Sequence, residues 1–162
     1  MKKNLLLILF ILTFSSISNA QNTSEKVANK SVYAEFGGPG LFNINYDMRL
    51  HQIADKFGFR AGIGYMSINE NSFLSIPLLA NYLIGNKNYF EVGAGATFFS
   101  GHSAISSNND DDDVTRVWGT LNIGYRYQPI DGGFQFRAGF APAFGDFGFI
   151  PYIPYLSLGF AF

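Results

Sequence analysis

Phe42-Asn43-Ile44-Asn45-Tyr46-Asp47-Met48-Arg49-Leu50 decides the fold of this chain. Successive side chains of an extended backbone point to opposite faces. Phe42, Ile44, Tyr46, Met48 and Leu50 therefore share one face, and Asn43, Asn45, Asp47 and Arg49 share the other. The same period returns at Val114–Tyr127, where Val117, Leu121, Ile123, Tyr125 and Tyr127 interleave with Arg116, Thr120, Asn122 and Arg126. It returns again at Gly133–Ala143, with Phe134, Phe136, Ala138 and Phe140 set against Gln135, Arg137, Gly139 and Ala141. All five arginines (Arg49, Arg60, Arg116, Arg126, Arg137) lie in such segments, whereas the six lysines (Lys2, Lys3, Lys26, Lys30, Lys56, Lys87) lie in the N-terminal stretch or in turns. A strand with guanidinium on one face and bare aromatics on the other needs two solvents at once. A closed barrel in lipid, apolar outside and polar inside, supplies both.

Turn signals divide the chain into eight runs: Ser31–Gly37, Leu41–Leu50, Phe57–Ile68, Phe73–Ile84, Tyr89–Ser100, Val114–Tyr127, Gly133–Ala143 and Ile150–Phe162. Most have the ~9–11 residues that carry a tilted strand across a bilayer. Pro77 predicts a bulge or irregular pairing in the fourth. Gly58, Gly62, Gly64, Gly93, Gly95, Gly124, Gly139 and Gly159 fall on the polar face, and the bulky residues fall on the apolar one. The interior of an eight-stranded barrel is only just wide enough for side chains, so the small residues belong inside and the aromatics outside. A soluble barrel would present the same period inverted. The fold class is thus all-β, an eight-stranded antiparallel up-and-down transmembrane β-barrel over residues 31–162. With both ends periplasmic, the long polar connection His102–Asp113 faces outward, and Gly85–Asn88 and Pro129–Gly132 form short inner turns. The outward connections Gly38–Gly40 and Asn69–Ser72 are short, which predicts little extracellular superstructure.

Residues 1–20 read as a cleaved signal peptide: Lys2 and Lys3, an apolar core from Leu5 to Phe14, and Ser18-Asn19-Ala20 before cleavage at Gln21. A membrane-spanning helix wants ~20 apolar residues, more than this run offers. Residues 21–30 read as a flexible periplasmic lead. The chain has no Cys, which excludes a lipid-anchored lipoprotein and a disulfide framework. Removing the leader and its two lysines leaves nine Lys+Arg against twelve Asp+Glu, a net charge of −3. That balance is no footprint for nucleic acid. Charged residues make up 14% and aromatics 17% of the chain, where a soluble domain carries about 25% charged.

Hairpin symmetry gives a first register for the lumen. Centring the fifth connection near Asn108-Asn109 sets Glu91 opposite Arg126, with Arg137 diagonally next to Arg126. Arg49 and Arg60 meet across the second connection beside Asp47. Asp47, Arg49, Arg60, Asn81, Glu91, Arg126, Gln135 and Arg137 then stack in the periplasmic half, with Glu35 higher. Long arginines that fork onto carboxylates predict a salt-bridged plug; the functional counterpart is a charged constriction for solutes. The same register sets Phe99 opposite Trp118 in the extracellular half, near Met66 and Phe73. That apolar upper lumen is either core packing at the mouth or a site for an acyl chain or other lipophilic ligand.

Signal peptide, eight alternating strands and a last run ending in Leu158, Phe160 and Phe162 resemble the small outer-membrane barrels of the OmpA/OmpX type. The Asn- and Phe-rich composition is similar to the short outer membrane β-barrel proteins of Bacteroidota. This resemblance covers the whole mature chain and carries no catalytic motif. It implies an outer-membrane location in a Gram-negative envelope, outer-membrane lipid and lipopolysaccharide as surroundings, and a terminal strand ending at Phe162 that the barrel assembly machinery reads.

Catalysis has one candidate. Lipid A deacylases and palmitoyl transferases are eight-stranded barrels with His and Ser near the outer leaflet, and His102-Ser103 is the one adjacent His–Ser pair here. Neighbouring residues of a strand point apart, so Ser106 or Ser107 would have to serve, with Asp110 as orienter. Gly101-His102-Ser103-Ala104 also departs from the His-x-Ser-Asn arrangement of the deacylases. Asp110, Asp111, Asp112 and Asp113 could gather Ca²⁺ or bridge cations to lipopolysaccharide phosphates, but they lack the spacing and glycine of a calcium loop. No cofactor is assigned. The expected function is an integral, non-enzymatic outer-membrane barrel, porin-like in form, with a plugged lumen and a structural or envelope-interaction role. The alternatives are a narrow pore, a carrier of small lipophilic ligands and a lipid A-modifying enzyme.

Overall fold

The computed structural model describes residues 27–38, 40–50, 56–68, 71–102 and 114–162. The signal segment, Ser103, Ser106, Ser107 and Asp110–Asp113 lie outside them. Ten strand segments form one antiparallel sheet: β1 (Lys30–Gly37), β2 (Phe42–Arg49), β3 (Phe57–Ile68), β4 (Asn71–Asn86), β5 (Asn88–His102), β6 (Val114–Tyr127), β7 (Gly133–Phe140), β8 (Ala143–Gly145), β9 (Gly148–Ile150) and β10 (Pro154–Ala161). From β1 through β7 consecutive strands pair, β10 pairs with both β7 and β1, β8 pairs with β6 and β9, and the β5–β6 ladder closes the ring. Lys30 is the first residue of β1, so one lysine sits at the foot of a strand.

Ten segments make eight walls. β6 pairs with β7 up to Ile123↔Phe140 and with β8 from Thr120↔Ala143, so β8 continues β7 in the same register. Pro142, which has no N–H to give to a ladder, interrupts them, although its carbonyl still accepts from the Leu121 N–H at 2.8 Å. On the last wall, the Ala141 N–H donates to Ile153 O at 2.8 Å, while the next pair up is Ala143↔Ile150. One extra residue between Ile150 and Ile153 makes a bulge that separates β9 from β10. The runs expected at Gly133–Ala143 and Ile150–Phe162 are therefore each cut by prolines. Their tips form a β8–β9 hairpin at the rim away from the chain ends, superstructure that the turn lengths did not foretell. Pairing of β3 with β4 lapses between Ala61↔Leu78 and Gly64↔Ser75 and resumes in the same register. Pro77 thus causes a gap in the ladder rather than a bulge.

The barrel is apolar outside and polar inside. Phe36, Ile44, Phe59, Ile63, Phe90, Val117, Phe134 and Phe160 are among its exposed large side chains. The fully buried side chains are headed by Arg126, Arg137, Tyr33, Gln135, Glu35 and Glu91. The described end of the N-terminal stretch is tied to the β6–β7 turn. The buried Ala28 donates its N–H to Ile130 O at 2.9 Å and accepts from Gln128 Nε2 at 3.3 Å.

Candidate functional site

Glu35, Asp47, Arg49, Arg60, Glu91, Arg126 and Arg137 all face the lumen and are all buried. They form one chain of alternating charge. The Arg60 guanidinium donates to one carboxylate oxygen of Glu35, and Arg137 donates to the other at 3.3 Å. Arg137 also forks onto Glu91, with Nη2 at 2.7 Å and Nε at 2.9 Å. The other face of Glu91 meets Arg126 at 3.7 Å. Arg126 donates to Asp47 at 3.0 Å, and Asp47 accepts from Arg49 at 2.5 Å. Each carboxylate thus bridges two arginines: Arg60, Glu35, Arg137, Glu91, Arg126, Asp47, Arg49. Guanidiniums stand at both ends, so these seven groups carry one more positive than negative charge. Buried charges are tolerated when paired and hydrogen-bonded; here Ser157, Asn122 and Asn81 donate to Glu35, Glu91 and Asp47 in turn.

The strands set this order. Asp47↔Arg60 and Arg126↔Arg137 are cross-strand partners, and Glu35 stands level with Ser157, itself opposite Arg137. The ladder across the fifth connection differs from the expected one by a slide of two residues: Glu91 pairs with Gly124, Tyr89 with Arg126, and Thr97 with Trp118. A slide of two leaves every side chain on its original face, so the alternation that defined the strands cannot detect it. Arg137 lies directly opposite Arg126 rather than diagonally, and Glu35, level with Asn43 and Ser157 and so above Asp47, joins the charged chain through Arg60 and Arg137.

Tyr33 and Tyr155 were not among the residues singled out by sequence. Tyr33 is buried at the centre, with Arg137 over its ring at 4.5 Å and Arg60 at 5.7 Å; Arg137 also lies 5.5 Å from the Tyr155 ring. A ring between two guanidiniums attracts both and keeps them apart. The signal was the inward glycines. A Cβ at Gly159 would collide with Tyr33, one at Gly124 or Gly139 with the Tyr155 hydroxyl, and one at Gly58 with the Arg49 guanidinium.

Above the charged chain, on the neighbouring strands β5 and β6, the buried Thr97 and Thr120 hydroxyls lie 3.0 Å apart. Phe99 and Trp118 meet with ring centroids 4.3 Å apart, and Phe147, from the β8–β9 turn, meets Trp118 edge to face at 4.4 Å. Met66 is half-buried on β3 opposite Phe73. Arg116, the remaining arginine, stands at the rim, more than half exposed and 3.8 Å from Asp146. His102 ends β5, while its proposed catalytic and metal-binding neighbours fall outside the described residues.

No protein-family model matches the chain, and no curated protein matches it by sequence. Among solved structures it is similar to the N-terminal β-barrel domain of Pseudomonas aeruginosa OprF. The TM-score is 0.58 and the identity 14%, over 85% of this chain and 98% of that one. The likeness is one of fold: this chain has the closed eight-stranded antiparallel barrel of the OmpA-like type.

Proposed function

We propose that this chain is an integral outer-membrane protein whose barrel is closed by its own charged chain, with a structural or envelope-interaction role and no enzymatic one. The observation that carries the reading is the inversion of the molecule: seven charged groups buried in the lumen and large apolar side chains exposed around the wall. In water, each exposed apolar side chain would forgo about 1.5–3 kcal/mol of burial; in lipid that cost disappears. Polar interiors and apolar bands are what membrane barrels need. The fold shared with an OprF domain supports the same location. The closure follows from the network, which spans β1, β2, β3, β5, β6 and β7 and fills a tube of eight strands. Its surroundings on this reading are outer-membrane lipid and lipopolysaccharide, and its terminal strand through Phe162 is the segment handed to the barrel assembly machinery.

The test is conductance in a planar bilayer. Refolded protein is expected to pass no sustained current at moderate voltage, and Glu91→Gln to pass a measurable one. Wild-type protein with stable open channels would overturn the closed-lumen reading; protein recovered in the soluble periplasmic fraction would overturn the membrane one.

A further inference from the structure

The barrel wall is uneven. β1 stops at Gly37 and β2 starts at Phe42. The β2–β3 ladder ends at Asn43↔Gly64, yet β3 goes on to Ile68 beside β4. On the other flank the β1–β10 ladder ends at Gly37↔Tyr155, with one further bond from the Gly38 N–H to Pro154 O at 2.9 Å. Among the described residues, the stretch of β3 past Gly64 has no strand partner on its β2 side. Neither does the chain from Ile153 up to β9 on its β1 side. The extracellular rim therefore carries a notch over the β1–β2 hairpin. It is about four residues deep, or roughly 13 Å of strand at 3.3 Å per residue. Its flanks are β3 past Gly64, which carries the inward Met66, and the chain from Ile153 to β9.

Facing the notch is the tall wall of β4, β5 and β6, which continues to Asn71, His102 and Val114. Its inner face is aromatic. The Phe73 ring lies over Gly101, Phe99 meets Trp118, and Phe147 caps Trp118. These rings are not sealed off, since Phe73 is 43% and Phe147 37% exposed. The sill of the notch is also apolar on its outer side, where Phe36, Leu41 and Phe42 are exposed, as is Tyr65 beside it. The apolar inner face of the mouth and the apolar outer band thus both border the notch, above the buried Asn43–Ser75 pair.

We propose that the mouth is an acyl-chain subsite open to the side. The hydrocarbon tail of a lipid from the surrounding bilayer passes over the β1–β2 hairpin and lies against Phe73, Phe99, Trp118 and Phe147. This rests on the membrane reading above. The bilayer lipid is the occupant because it is the medium that bathes the sill, so its chain reaches the rings without crossing water. Phe147 is a light lid: it sits in a two-residue turn and is held by one ring contact and by the exposed Arg116–Asp146 pair. The Trp118 Nε1–H is buried without a protein acceptor among the described residues.

Trp118 is the only tryptophan, so its emission reports this mouth alone. The experiment is fluorescence in vesicles of phospholipid brominated on the acyl chain. Wild-type emission is expected to fall about two-fold, because bromine reaches van der Waals contact with the ring. Met66→Lys, or Phe99→Gln should that variant not fold, is expected to restore it while the gel shift on boiling still reports a folded barrel. Phe98→Trp on a Trp118→Phe background moves the reporter to the exposed outer face of β5 and is expected to be quenched throughout. If the outer reporter is quenched and Trp118 is not, the subsite is overturned and the membrane reading stands. Quenching of Trp118 that neither lumen variant relieves would come through the wall and overturn the subsite as well. If neither reporter is quenched, the membrane reading falls and takes the subsite with it.

Discussion

Glu91→Gln is expected to destabilise this barrel more than Arg137→Met, although both remove the same ion pair. In the alternating chain Arg60, Glu35, Arg137, Glu91, Arg126, Asp47, Arg49, removing Arg137 leaves two balanced pieces, Arg60 with Glu35 and two carboxylates with two arginines. Neutralising Glu91 leaves two pieces that each carry a surplus guanidinium, and Arg126 and Arg137 face each other as cross-strand partners. An uncompensated buried charge costs about 3–5 kcal/mol. The loss of Arg137, whose carboxylate partners keep other arginines, costs about 1–3 kcal/mol, the scale of a charge-assisted hydrogen bond. With a urea slope of about 2 kcal/mol per M, the midpoint should fall by roughly 2 M for Glu91→Gln and by roughly 1 M for Arg137→Met. The assay is urea unfolding of protein refolded in vesicles, followed by the fraction that shifts in mobility on boiling. Glu91→Gln combined with Arg137→Met should fall short of the summed single effects, because the second change removes one of the guanidiniums that the first left unpaired. Equal midpoints for the two single variants, or the reverse order, would refute the alternating chain as the source of lumen stability.

Other substitutions probe separate parts of the same account. Unheated protein from an outer-membrane fraction should run differently in SDS from boiled protein; identical mobility would contradict a detergent-resistant barrel. Ile44→Lys, on the exposed outer face of β2, should cost about 2–4 kcal/mol in vesicles as a charge set in lipid, whereas the same change on a water-exposed surface would be close to neutral. Gly58→Val sets a branched side chain where the Arg49 guanidinium lies and should lower the urea midpoint and raise conductance together; an unchanged midpoint would show that Arg49 is free to move. Asp146→Asn breaks a rim pair that is more than half exposed on both sides, and should change the midpoint by no more than the ~0.2–1 kcal/mol of a surface pair.

The alternation at Phe42–Leu50 and its counterparts was enough to determine the number of walls, the face each residue takes and the polarity of the two faces. Those properties depend only on side chains pointing alternately up and down. Which arginine meets which carboxylate depends on register, and a two-residue slide such as that of Glu91 from Arg126 to Gly124 changes neighbours without changing faces. Closure of the ring decides it, since all eight ladders must agree at once. Tyr33 belongs with the polar residues by alternation, but its role as the ring between Arg60 and Arg137 needs Gly159 on the far strand to make room. The prolines were legible, and their consequences were not: Pro142 cuts one wall, the chain from Pro151 to Ile153 bulges in the next, and the β8–β9 hairpin brings Phe147 onto Trp118. The notch over β1–β2 is likewise a property of the closed barrel, because a strand is short only relative to the neighbours beside which closure places it. Sequence determined what faces lipid and what faces the lumen; tertiary structure decided how the lumen is wired and where its wall is low.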